Sequence, residues 1–106
     1  MRTRNWHAWL NLMPPKPDDF HVVGEIQVGN PGVVAELHVR EPQTGGAGEL
    51  QLDVHLVERP GMWAQVMTWV QARFDRVLPP GSHGWSTVVI YSKDAEIGRV
   101  DAGIVQ

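Results

Sequence analysis

The chain has 106 residues, enough for one domain, and a net charge of −3 with histidine neutral, so it offers no overall basic surface for nucleic-acid phosphates. At 42% hydrophobic and 20% charged residues it can fill a core, which argues against disorder. It has no cysteine, which excludes disulfides, thiol chemistry and cysteine-ligated zinc. That usage fits a reducing compartment. No apolar run reaches the ~20 residues that span a bilayer, and the N-terminus lacks the cleavage site of a signal peptide. A cytoplasmic protein with no membrane span is expected.

Residues 1–17 read as a tryptophan-rich arm and a proline linker ahead of a single β domain over 18–106. Trp6, Trp9, Leu10 and Met13 fall at i, i+3, i+4 and i+7, the spacing of one helical face. This predicts a short amphipathic turn or two, acting as a lid on the sheet or as a docking arm. Pro14, Pro15 and Pro17 would stop any helix and stiffen the connector.

Phe20, Val22, Gly24, Ile26 and Val28 alternate with His21, Val23, Glu25 and Gln27, the period of a strand with one buried face. Gly29-Asn30-Pro31-Gly32 is a turn by composition. Val33, Ala35, Leu37 and Val39 alternate next and give a second strand. Glu41–Gly48 is the most flexible-looking loop. Leu50, Leu52, Val54 and Leu56 then alternate with Gln51, Asp53 and His55.

Arg59-Pro60-Gly61-Met62 suits a type II turn, with proline fixing φ and glycine accepting the positive φ that follows. Trp63–Val77 fits two periods. As a strand it places Trp63, Gln65, Met67, Trp69, Gln71 and Arg73 on one face; as a helix it carries a stripe of Trp63, Val66, Met67, Val70, Phe74 and Val77. Its valines and aromatics, following a strand through a tight turn, favour a long strand. Trp85–Tyr91 and Glu96–Val105 complete the series around a polar turn at Ser92–Ala95, with Gly98 and Gly103 as bend points.

The expected fold is all-β, an antiparallel β-sandwich or small barrel of about six strands. If residues 63–77 are helical, it becomes α+β, with one helix on an antiparallel sheet.

Chemistry is sparse. No histidine lies in a metal-binding spacing. If the first three strands form a meander, however, Glu25 approaches Glu36, Val23 approaches His38, His38 approaches Asp53, and Glu36 approaches His55. Glu36, His38, Asp53 and His55 would then gather on the face opposite the core. Nitrogen and oxygen donors of this kind suit Zn²⁺ or an acid/base pair. The plain alternative is a solvated face of cross-strand ion pairs.

Five tryptophans are many for a chain of this length. Trp63, Trp69 and Arg73 on one strand face, with Trp6 and Trp9 on the arm, would suit a protein partner or a sugar, or would pack in a core. The leading expectation is a non-catalytic binding module with no cofactor, partnered by a protein, with self-association as a homodimer the form expected first. The alternatives are a small zinc-binding or acid/base enzyme and a carbohydrate-binding module.

Overall fold

The computed structural model describes residues 1–106 and contains seven strands and no helix. They are β1 (Thr3–Asn11), β2 (Asp19–Val28), β3 (Val33–Val39), β4 (Glu49–Glu58), β5 (Thr68–Val77), β6 (Thr87–Ser92) and β7 (Ala95–Val105). They close into a barrel in the order β1-β2-β5-β3-β4-β6-β7. The β3–β5, β4–β6 and β7–β1 pairs are parallel and the others antiparallel. The all-β small barrel is as expected; the count rises to seven because the N-terminal segment is a strand.

Why β1 is a strand and not a helical lid follows from its parity. Ala8 and Leu10 point inward and are buried. Trp6 shares their parity and also turns inward, while a bulge between Arg4 and His7, with Asn5 at φ 58°, shifts the alternation so that Thr3, opposite Ile26, lies inward as well. Asparagine is among the few residues that tolerate this left-handed conformation.

The helical spacing of Trp6 and Trp9 is therefore coincidental, since the two rings lie on opposite faces. Trp6 fills the middle of the barrel. A Cβ at Gly24 would lie 2.1 Å from its ring and one at Gly98 2.4 Å from it. Gly24 is opposite Ala72, and Ala72 is opposite Ala35. This interior layer is lined by residues with little or no side chain and is filled by one indole, whose N–H donates to Thr3 Oγ1 at 2.9 Å.

The remaining core comes from the inward positions of the other strands, including Phe20, Val22, Ile26, Leu37, Leu50, Leu52, Phe74, Val88 and Ile90. Residues 63–77 are not helical. Thr68–Val77 is β5, and Trp63–Met67 lies in the connection before it. Nor does β4 turn back on itself. The connection crosses β3 and delivers β5 between β2 and β3.

Glu25 therefore pairs with Gln71 and Val23 with Arg73, not with Glu36 and His38. The β2–β3 meander is corrected accordingly. Gly61 does take a positive φ of 129°. Glu41–Gly48, though exposed, is tied down. The Gln43 amide donates to Gln51 O at 2.8 Å and its carbonyl accepts from Gln51 N at 2.8 Å, so one side chain stands in for a strand neighbour.

Candidate functional site

The β3–β4 register places Glu36 opposite His55 and His38 opposite Asp53. His38 and His55 come together, with ring centroids 4.3 Å apart, and His38 Nε2 lies 3.0 Å from Glu36 Oε1. Asp53 is drawn elsewhere. Its Oδ1 accepts from Arg40 Nη1 at 2.6 Å, and the same guanidinium reaches Asp94 Oδ1 at 2.9 Å and packs over Tyr91. Desolvation weighs against the charged Arg40, but the hydrogen bonds to Asp53 and Asp94 outweigh it and raise its pKa above the ordinary value. With Asp53 so engaged, the four residues make no metal cage, and no group of three or more His, Asp or Glu is arranged to hold an ion.

A second acidic–imidazole chain lies across β2 and β5. His21 Nδ1 is 2.5 Å from Asp75 Oδ1, and its Nε2 is 3.1 Å from Asp19 Oδ2. Trp9 stacks on this imidazole with centroids 5.1 Å apart. Arg73 donates to Asp75 at 2.9 Å. Desolvation raises the Asp75 pKa, but the bonds from His21 and Arg73 more than offset this and hold it below its ordinary value.

The tryptophans do not form a common platform. Trp6 is in the interior. Trp9 is on the outer face against His21. Trp69 is on the outer face of β5, with the Arg4 guanidinium 3.8 Å from its ring centroid. Trp63 lies in the β4–β5 connection, over Gly32, where its N–H donates to Arg59 O at 3.1 Å and the Arg59 guanidinium stacks on its ring. Arg73 is engaged by Asp75.

The surface that stands out is the barrel end where β3 begins and β4 finishes. Leu56 and Val57 are each 45% exposed, Val66 is 54%, Met67 63%, and Met62 fully so, with Val34 and Trp63 also exposed. The cause is the shortness of β6. Its last pairing with β4 is Tyr91 opposite Asp53, so beyond the Val54 N–H the side of β4 away from β3 has no neighbour as far as Glu58.

Leu56 continues the inward set of Leu50, Leu52 and Val54. It stands past the last strand that could cover it. Periodicity shows this parity but not where a neighbouring strand stops, so Leu56, Val57, Val66 and Met67 could not be singled out beforehand. The His21–Asp75 pair was equally hidden, since it depends on β5 entering beside β2.

Comparison with family models, with curated proteins and with solved structures finds no match to this chain. No helix is long and apolar enough to cross a membrane.

Proposed function

We propose that the chain is a non-catalytic binding module that associates with a second copy of itself through the β3–β4 end of the barrel. The observation that carries this reading is the exposed apolar surface there, contiguous in the fold with an unpaired strand edge. Val34, Leu56, Val57, Met62, Trp63, Val66 and Met67 are all exposed at this end of the barrel, and apolar side chains gathered at one end of a small domain mark an interaction surface.

The chemistry also favours an apolar partner. The carboxylates that the sequence offered for chemistry are engaged elsewhere: Asp53 by Arg40 and Glu36 by His38.

Sedimentation equilibrium across micromolar to hundred-micromolar concentration tests the reading. A reversible monomer–dimer equilibrium is expected, weakened at least tenfold by Leu56→Lys with Val57→Lys, two half-exposed positions at the end of β4. A chain monomeric throughout this range would overturn it.

A further inference from the structure

We infer that the two copies pair edge to edge through β4, running antiparallel with the two-fold axis at Leu56, so that one sheet continues from barrel to barrel. This deepens the self-association proposed above and rests on it.

The direction of each backbone group follows from the hydrogen bonds at the two ends of the β3–β4 ladder. Arg59 N donates to Gly32 O at 2.9 Å, and Arg40 N donates to Gln51 O at 3.0 Å. Residues 51 and 59 therefore face β3, and by alternation so do Asp53, His55 and Val57. Val54, Leu56 and Glu58 direct their N–H and C=O groups to the opposite side. The Asp53–Tyr91 pairing still engages the Val54 N–H with the end of β6; from the Val54 carbonyl to Glu58 that side is empty.

Those groups need donors and acceptors at the same spacing, and a second β4 edge supplies them. Side-chain alternation requires that opposed residues in an antiparallel pair lie on the same face. For two identical strands the axis must then fall on a residue and not between two.

The free segment runs from the Val54 carbonyl to Glu58, and its middle residue is Leu56. With the axis there, Leu56 opposes Leu56 of the second copy and Val54 opposes Glu58 in both directions. The two Leu56 residues then exchange both of their backbone bonds, and each Glu58 N–H meets the Val54 carbonyl of the other copy. An axis at Val57 would set Val54 against Pro60, which has no N–H to give. In the Leu56 register the two Leu56 side chains lie side by side on the inward face, and Val57 opposes His55 on the outer one. The exposed apolar residues of β4 are thereby covered.

Proline and cysteine substitutions test this directly, because the native chain has no cysteine. Leu56→Pro removes an N–H that has no partner within the chain, and Leu56→Ala, which shortens the side chain but keeps that N–H, is its control and should retain dimerisation. The proline variant should remain folded, with a far-ultraviolet spectrum like that of the native protein, and be monomeric at concentrations where the native protein dimerises. Val57→Pro, whose N–H serves the β3 ladder, should instead lose stability.

Single cysteines at positions 54 to 58, oxidised in the dimer, should cross-link in a sharp peak at Leu56→Cys. Only that position brings identical Cα atoms to about 5.5 Å, within disulfide reach; each residue away from it adds about 7 Å of offset along the strand. Persistent dimerisation of folded Leu56→Pro, or a cross-link maximum elsewhere in 54–58, would overturn the pairing and leave self-association standing. Absence of any dimer would overturn both.

Discussion

At the scale of single residues, Trp6 and the glycines around it carry the most specific packing in the molecule. The barrel interior at this level is walled by Gly24, Gly98, Ala72 and Ala35, and the indole occupies the space their missing side chains leave. Gly24 has an ordinary negative φ, so any cost of replacing it is steric. Gly24→Ala should destabilise the protein by about 1–3 kcal/mol, the usual range for overpacking a filled core. Trp6→Ala should cost about 3 kcal/mol, near the lower limit for an aromatic truncation because the ring is partly exposed. Once the ring is gone the methyl at position 24 meets no obstacle, so Gly24→Ala should be close to neutral in the Trp6→Ala background. Urea denaturation of the four proteins measures the coupling. Additive losses would mean that the indole and the glycine do not share this space.

At the scale of strands, the β2–β5 pair joins His21 to Asp75, and the β1–β2 pair joins Arg4 and Asn5 to Glu25. Bonds from Asn5 and then Arg4 hold Glu25 below its ordinary value of 4.5, and Asp75 lies below 3.8 for the reasons given above. A carboxylate with a depressed folded-state pKa contributes stability that is complete above the unfolded value and is lost as pH falls through the folded one. Stability should therefore hold above about pH 4.5 and decline below it. Asp75→Asn should lower the melting temperature at pH 7, and the gap from the native protein should close as pH drops below 3.8. Melting curves from pH 2 to 7 decide this; a gap constant with pH would mean that the charge of Asp75 is not what matters.

The strand scale also marks what could be read beforehand. The β3–β4 register, with Glu36 against His55 and His38 against Asp53, was legible because two alternating patterns joined by one loop admit few in-phase pairings. The position of β5 was not legible. Its alternation assigns Ala72 and Phe74 inward but says nothing of its neighbours, and the local turn at Pro60-Gly61 suggests a hairpin that the fold does not make. Trp6 was misread for a related reason. It shares the parity of Ala8 and Leu10, but the i, i+3 and i+4 spacing of Trp6, Trp9 and Leu10 fits a helical face as well and masks that alternation.

For the whole molecule, the distribution of pairing predicts a gradient of local stability. β2 is flanked along most of its length by β1 and β5. By contrast, β3 meets β5 at only two positions, Ala35 with Ala72 and Glu36 with Arg73, and β4 beyond the Val54 N–H leans on β3 alone. Amides in the middle of β2 should exchange last. Toward the end of β4 exchange should alternate at low protein concentration: slow at Val54, whose N–H meets the end of β6, and at His55 and Val57, which bond to β3, and fast at Leu56 and Glu58, which face solvent. The alternation separates a formed but half-paired strand from a frayed tip, in which all five would exchange quickly. If the copies join through this edge, raising the concentration must slow the fast set while the middle of β2 changes only by the global stabilisation that association brings. Hydrogen exchange followed by NMR at two concentrations reads both effects in one sample series. Slowing spread evenly over 54–58 would place the contact on the side chains of this end and not on the backbone of its open strand.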